Sequence, residues 1–283
     1  MTKTEQLILT LSDIKALYRS DSLPRHWWQG WLCHVLDQPS SFLITHDDHV
    51  LTPKQRQLFD EGIAKMRQGV PLAYLTGEQA FFGRIFAVNE HTLIPRPDTE
   101  RLIEVVLDWA AKSPLDAGYI LDLGTGSGCI AITLAKELPS WQVLAVDFSD
   151  EALKVANDNA KRLSANHCQF ARSDWFENIE GAFDVIVSNP PYIAQDDEHL
   201  ATLVAEPITA LVAKDDGLYD IEIIASQAQR FLNKDGLLAV EHGYDQGMSV
   251  RQIFDKYGYD DIKTIQDYGG NDRLTVGVRG VSR

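Results

Sequence analysis

Apolar residues recur every three or four positions in the first quarter of the chain. Leu7, Leu11, Ile14 and Leu17 make one stripe, and Trp27, Trp28, Trp31, Leu32 and Val35 a second. That period predicts amphipathic helices packed through the stripes. Pro24, Pro39, Pro53 and Pro71 fall where helices should start or break, because proline has no amide hydrogen and a fixed φ. Residues 1–78 therefore read as a small helical-bundle domain. Over 79–94 the pattern changes: Phe82, Ile85, Phe86 and Val88 accompany Gly83 and Asn89, which predicts a β-hairpin linker. Pro95-Arg96-Pro97-Asp98-Thr99-Glu100 then opens a helix, with Leu102, Val105, Val106 and Trp109 as its buried face and Ser113-Pro114 as its end.

Beyond Gly118, apolar runs of strand length alternate with helical periods. Strands are predicted over 119–123, 142–147, 183–188 and 237–241, with a short third strand ahead of Ser173 and a later pair near 262–266 and 273–278. Helices are predicted near 129–138, 150–163 and 219–231. Such alternation implies an α/β domain over 95–283, with a mainly parallel sheet, helices on both faces and ligands beyond the carboxyl ends of the strands.

Composition narrows the function. The 283 residues carry 26 basic and 41 acidic side chains, a formal charge of −15, which repels phosphate backbones and argues against a duplex-DNA binder. The first 80 residues are nearly balanced, 8 basic against 9 acidic, whereas residues 81–283 hold 18 against 32. Cys33, Cys129 and Cys168 lack close pairing, so reduced thiols in a cytoplasmic protein are expected. No histidine has metal-ligand spacing, and no metal is expected. The first residues lack a small-residue cleavage site, and the longest apolar stretch, 120–135, holds Asp122 and three glycines. It is shorter than the roughly 20 apolar residues of a membrane span.

Four features carry chemistry. After the first strand comes Asp122-Leu123-Gly124-Thr125-Gly126-Ser127-Gly128. Its glycines allow a tight turn and close approach of a ligand, and the G-x-G-x-G spacing suits a nucleoside with an amino-acid tail better than a pyrophosphate. Asp147, at the end of the second strand, is placed to accept both hydroxyls of a ribose, or else to cap the next helix, a role open also to Ser149 and Asp150. Trp175, in Ser173-Asp174-Trp175-Phe176, is either an adenine wall or core packing. The sharpest signal is Ser188-Asn189-Pro190-Pro191-Tyr192. Two prolines stiffen the turn and remove two donors, so Asn189 Oδ1 and the Pro190 carbonyl are left to accept both hydrogens of a planar NH2 group, with Tyr192 stacked on its face. Held so, a weakly nucleophilic amide or aromatic amine is aimed at an electrophile.

The order glycine loop, acidic strand end, Asn-Pro-Pro-Tyr resembles class I S-adenosylmethionine-dependent amino-methyltransferases. Leu93 to Glu100, Asp122 to Ile132, Asn189 to Tyr192 and Glu241-His242-Gly243-Tyr244-Asp245-Gln246 together resemble the bacterial peptide chain release factor N(5)-glutamine methyltransferases, the PrmC/HemK family. The resemblance runs through essentially the whole chain, including Tyr74-Leu75-Thr76-Gly77. It implies a Rossmann-like, mainly parallel seven-stranded sheet, S-adenosyl-L-methionine as cofactor, and methyl transfer to the glutamine of the Gly-Gly-Gln loop of class 1 release factors. The helical domain would dock that substrate. It further implies a cofactor held at Gly124, Thr125, Gly126, Ser127, Gly128, Asp147, Trp175 and Asn189, and a substrate glutamine at Asn189, Pro190, Pro191 and Tyr192. Residues 200–207 read LATLVAEP, shorter than the family pattern, so the wall beyond Tyr192 is expected to differ. Glu241 and His242 are expected to anchor a loop, a base being the lesser reading, and Arg96 and Glu100 to shape a lid or form a surface ion pair. The competing activity is adenine-specific methylation of DNA, which uses the same amine pocket but needs a basic cleft.

Overall fold

The computed structural model describes residues 9–280 and divides the chain into two compact units. Among the described residues, one comprises 9–77 together with Thr202–Ala205; the other comprises Glu78–Ala201 and 206–280.

The first unit contains α1 (Leu11–Tyr18), α2 (Arg25–Leu36), α3 (Phe42–Thr45), α4 (Pro53–Arg67) and α5 (Leu72–Thr76). Thr10 and Thr52 begin α1 and α4 with capping boxes, their side chains and those of Asp13 and Gln55 satisfying amides that the first helical turn leaves free. Leu11, Ile14, Trp28, Trp31, Leu32 and Val35 are buried in one cluster with Phe59, Ile63 and Met66. Leu17, on the predicted stripe, is exposed, because α1 ends one residue later; Leu7 lies outside the described residues.

The second unit begins with an antiparallel hairpin, β1 (Glu78–Phe81) and β2 (Arg84–Ala87), turned at Phe82-Gly83 with both residues at positive φ. A single 3₁₀ turn, Pro97–Thr99, precedes α6 (Glu100–Lys112). The buried face of α6 is Leu102, Ile103, Val106 and Ala110, with Val105 and Trp109 only half-buried beside it. Then follow β3 (Tyr119–Leu123), α7 (Cys129–Glu137), β4 (Gln142–Asp147), α8 (Asp150–Leu163), β5 (Cys168–Arg172) and β6 (Phe183–Ser188). The chain finishes with α9 (Lys214–Gly217), α10 (Tyr219–Ala228), β7 (Leu232–Glu241), α11 (Gly247–Lys256), β8 (Tyr259–Gln266) and β9 (Asp272–Arg279).

Seven strands form one sheet in the order β5-β4-β3-β6-β7-β9-β8, parallel through β7 and antiparallel at β9 and β8. Alternate residues feed opposite faces: Ile120, Val143, Val185 and Leu237 enter one apolar cluster, and Leu121, Val146, Ile186 and Leu238 the other. Strands covered on both faces read as nearly continuous apolar runs, which is why β3 and β6 were sharply bounded in the sequence. The order reverses between β3 and β6, so the crevice at their carboxyl ends is the place for a ligand.

Candidate functional site

Register builds the site. Leu123 pairs with Val146 on one side and Ser188 on the other, so Gly124, Asp147 and Asn189 leave the sheet at the same level. They open onto a cavity of about 460 Å³, within the roughly 300–1,000 Å³ of small-molecule sites. Its wall includes Gly124, Thr125, Gly126, Ser127, Asp147, Trp175, Asn189, Pro190 and Pro191, the sequence-predicted residues brought together. Gly128 and Tyr192 are not on that wall.

The glycine loop is held from below. Gly124 and Thr125 N–H both donate to the Val146 carbonyl at 2.9 Å. Thr125 Oγ1 donates to Asp122 Oδ2 at 2.6 Å, and burial pushes the Asp122 carboxyl up to about 7 against that bond and one from the Ala131 amide. Gly124, Gly126 and Gly128 have φ of 71°, 55° and 81°, a region glycine enters without a Cβ penalty. A Cβ on Gly128 would stand 2.8 Å from Ile132 Cδ1 and 3.2 Å from the Ala156 Cβ, so this glycine serves the packing of α7 on α8 and not the cavity wall. Asn159, in α8, ties the loop to the hairpin: its Nδ2 donates to the carbonyls of Ser127 at 2.9 Å and Ala87 at 3.0 Å, and its Oδ1 accepts from Ala87 N–H at 2.7 Å.

Asp147 is nearly buried, 7% exposed. Its Oδ2 accepts from Gly126 N–H and its Oδ1 from Ser149 N–H, each at 2.9 Å. Burial raises its pKa, and the amides of Ser149, Gly126 and Phe148 counter this. The cap of α8 is Ser149, whose hydroxyl accepts from Ala152 N–H at 3.2 Å, so Asp147 is left to the loop and the cavity. Trp175, at φ 45°, lies over the loop: a Cβ on Gly124 would be 3.6 Å from its ring. Burial raises the carboxyl of nearby Asp220, and the Trp175 side chain counters this. Glu90, Asp147, Asp174 and Asp220 line the cavity with Arg96 as the opposing cation, a set that favours a positively charged ligand.

At the other wall Asn189 Nδ2 donates to Thr99 Oγ1 at 3.3 Å, while its Oδ1 is buried with no partner. Pro190 and Pro191 add no amide donor to compete for such an acceptor. Tyr192, expected to stack on the substrate, turns its hydroxyl to donate to Glu241 Oε1 at 3.3 Å. Its carbonyl accepts from Gln246 Nε2 at 3.0 Å, and the same amide nitrogen reaches the Asp216 carbonyl at 3.0 Å. A Cβ on Gly217 would fall 2.0 Å from the Tyr192 oxygen, so only glycine lets this turn pack against the Asn-Pro-Pro-Tyr backbone.

Sequence reasoning left Glu206, Thr99 and Asp220 without a role. Glu206, buried, accepts from Ile94 N–H at 3.1 Å and pairs with Arg96, fixing the strand-like stretch that forms one lip of the cavity. Glu100 does not reach the lip; its Oε1 accepts from Phe82 N–H at 2.8 Å and caps the hairpin turn. Thr99 and Asp220 are described above. His242 is buried against Thr275 Oγ1 at 2.9 Å and the Gly243 carbonyl at 2.8 Å, with its pKa lowered chiefly by burial, an anchoring arrangement. Burial pushes the Cys129 thiol up to about 12, which leaves it unreactive. No cluster of metal-ligating side chains occurs among the described residues.

The pieces match known proteins in the same order. Residues 102–217 match the methyltransferase small domain family, and residues 20–77 match the PrmC N-terminal domain family. A structure titled as a methyltransferase from Pyrococcus furiosus superposes with a TM-score of 0.54 at 20% identity, covering 81% of this chain and 98% of that one, a likeness of fold. The release factor glutamine methyltransferase of Vibrio cholerae is 47% identical over 250 residues, 87% of this chain and 86% of its own. That of Escherichia coli is 42% identical over 267 residues, 93% and 95% of the two chains. With cavity, loop and Asn-Pro-Pro-Tyr turn on one class I scaffold, and identity of this level along nearly the full length, the chain belongs to the release factor glutamine methyltransferase family.

Proposed function

We propose that this protein transfers a methyl group from S-adenosyl-L-methionine to the side-chain amide nitrogen of the glutamine in the Gly-Gly-Gln loop of class 1 peptide chain release factors. One observation carries the reading: Asn189 Oδ1 is buried and unpartnered at the wall of a cavity otherwise built for a nucleoside. A buried acceptor without a donor costs about 1–3 kcal/mol, which a bound N–H recovers.

The cofactor fits the residues present. Asp147 offers acceptors for ribose hydroxyls, the Trp175 face and Asp220 a slot for a base, and Gly124 to Ser127 a bare backbone for the amino-acid tail. The acidic wall suits its cationic sulfonium and ammonium. When bound, the cofactor supplies a methyl group already activated by positive sulfur. Asn189 Oδ1 and the Pro190 carbonyl take the two amide hydrogens of the glutamine, turning its nitrogen toward that methyl and weakening the amide conjugation that makes it a poor nucleophile. A cofactor held there would give up its methyl to the amide nitrogen and leave as the neutral thioether, and that nitrogen would release one proton to water. Because the nucleophile needs no deprotonation beforehand, no side chain is assigned as general base. Tyr192 braces the turn through Glu241 and Gln246.

The helical domain, residues 1–78, docks the release factor in this reading, and the hairpin 79–94 links it to the catalytic domain 95–283. No nucleic-acid substrate is proposed, since residues 81–283 carry 18 basic against 32 acidic side chains and the relatives act on glutamine by name. The cytoplasm is the compartment that a release factor substrate requires, and no helix among the described residues is long and apolar enough to cross a membrane. Substituting Asn189 by Ala while following labelled methyl on a purified release factor tests the reading: label transfer should collapse and cofactor affinity should hold.

A further inference from the structure

An Asn-Pro-Pro-Tyr turn cannot hold itself by its own backbone. Pro190 and Pro191 have no N–H, so between Asn189 and Tyr192 the chain offers only carbonyls, and whatever grips it must bring a donor. At its start the turn is fixed by β6, where Ser188 pairs with Leu123 and with Val240. Just beyond it, Ile193 N–H donates to the Leu211 carbonyl at 2.9 Å, and the Ile193 carbonyl accepts from Ala213 N–H at 3.0 Å. At Tyr192 itself the donor comes from Gln246, 54 positions along the chain.

Gln246 ends the stretch Glu241-His242-Gly243-Tyr244-Asp245-Gln246 and precedes α11. Its Oε1 accepts from Gly243 N–H at 2.8 Å, and its Nε2 donates to the carbonyls of Tyr192 and Asp216, each at 3.0 Å. A carbonyl only accepts and an amide N–H only donates, so this side chain fits one way round. A half-turn would set its oxygen against two oxygens. The Asp216 carbonyl belongs to a strained turn, because Asp215, Asp216 and Gly217 run at φ 53°, 53° and 82°, and the first two enter that left-handed region with a Cβ. Gly217 closes the turn onto the Tyr192 carbonyl, and a Cβ there would also stand 2.6 Å from Gln246 Nε2. One amide group thus ties together the strained turn, the start of α11 and the end of the Asn-Pro-Pro-Tyr turn. Gln246 is half-buried and is not part of the cavity wall, so it acts on the site only through that backbone.

We propose that Gln246 is a positioning residue: by gripping the Tyr192 carbonyl it fixes the direction of the Pro190 carbonyl, one of the two acceptors for the substrate amide. Planar peptides and proline rings that lock φ at 190 and 191 leave few soft dihedrals between the end of β6 and the gripped carbonyl. Holding both ends therefore leaves the Pro190 carbonyl one direction. Without the grip it takes several, and the substrate nitrogen is aimed by Asn189 alone. The catalytic consequence rests on the methyl-transfer reading above, whereas the grip itself does not.

The test exchanges the donor and keeps the shape. Gln246→Glu retains an acceptor for Gly243 N–H but, ionised, sets its second oxygen against the two carbonyls; protonated, it returns one donor. The new carboxyl would sit among Asp245 on its own turn, Asp215 and Asp216 on the bonded turn, and Asp272 from β9 against Gly247, with Lys214 heading the bonded turn as the cation. That acidic setting holds its proton above the usual glutamate range. Glu241 and His242 titrate in wild type and variant alike and cancel in the ratio of the two. Gln246→Glu should lower kcat about 30-fold near pH 8, and its kcat relative to the wild type should recover about fivefold toward pH 6. Gln246→Met, with neither donor nor strong acceptor, should lower kcat about tenfold at a ratio that does not change with pH. Both variants should bind S-adenosylmethionine within about threefold of the wild type. The Tyr192 carbonyl resonance in carbon NMR should move in Gln246→Glu with the midpoint of that recovery, a step absent from Gln246→Met. Turnover of Gln246→Met within about threefold of the wild type, or a Gln246→Glu ratio that stays flat with pH, overturns the proposal. Loss of the folded state in both variants, read by circular dichroism, also overturns it, since Gln246 would then serve stability. If the wild type labels no release factor, the functional reading fails, and the carbonyl titration decides the grip by itself.

Discussion

Replacing Asp147 by Asn tests the cofactor wall with almost no change of shape. Each carboxylate oxygen already accepts one backbone N–H at 2.9 Å, Oδ1 from Ser149 and Oδ2 from Gly126. An amide presents one oxygen and one NH2, so whichever way it sits, one of those N–H groups faces another donor. The favoured arrangement keeps Ser149, at the start of α8, and releases Gly126, at the cavity wall where water replaces the bond. One charge-assisted hydrogen bond, about 1.5–3 kcal/mol, is lost together with an acceptor for the ribose. In the proposed reading this loop meets the cofactor, so the loss appears in binding: the dissociation constant for S-adenosylmethionine should rise about 10- to 150-fold by calorimetry. Turnover at saturating cofactor should stay within about threefold, because Asp147 makes no bond to Asn189 or Thr99. Stability should change little, since the substitution also removes a carboxylate that burial disfavours. Affinity within threefold of wild type, or a loss confined to kcat, would refute the assignment.

Other consequences are as direct. Asn189→Ala should cut kcat by about 10²- to 10³-fold, as when one transition-state partner is removed, with cofactor affinity and circular dichroism unchanged; turnover within threefold ends the acceptor role. Gly128→Ala should lower unfolding stability by about 2–3 kcal/mol, from its φ of 81° and the contact with Ile132 and Ala156, whereas Gly126→Ala, with nothing within 4 Å of its Cβ, should cost about 1 kcal/mol. Equal losses in denaturant titrations would remove the distinction between packing and cavity glycines. The fully buried Asp122 carboxyl, at about 7 when folded and 3.8 otherwise, makes the folded chain bind more protons than the unfolded one between those values. Its contribution to stability is therefore lost as pH rises through that window, by up to about 1.4 kcal/mol per pH unit. Asp122→Asn should accordingly gain on the wild type from pH 4 to pH 7; a difference that does not vary with pH would contradict the buried-carboxyl account.

The sheet was legible because its strands are short apolar runs ended by Gly, Asp or Asn, and the predicted bounds of β3, β4 and β6 coincide with those in the structure. β7 starts at Leu232 and not at Leu237, since Asn233-Lys234-Asp235-Gly236 has the composition of a turn; Asp235 does sit at φ 61°, and the pairing with β6 shifts register there. The glycine loop, Asp147, Trp175 and Asn189 stood out as candidates because each motif carries its own chemistry in a few adjacent residues, and all of them line one cavity. What escaped were bonds between residues distant in sequence. Thr99 meets Asn189 across 90 positions and Glu206 meets Ile94 across 112, and no local period encodes either. The bond of the Tyr192 hydroxyl was hidden for the same reason: the sequence gives its type beside the prolines, but its partner Glu241 lies 49 positions away.

The central claim is that the amine pocket at Asn189 receives a release factor glutamine, and one side-by-side assay addresses it. Labelled methyl from S-adenosylmethionine is offered with the purified protein to a class 1 release factor, to its Gly-Gly-Gln→Gly-Gly-Ala variant and to unmethylated duplex DNA. Label on the intact factor alone is the predicted result. Label on the alanine variant or on DNA would contradict the account, leaving the pocket an amine site for a different substrate.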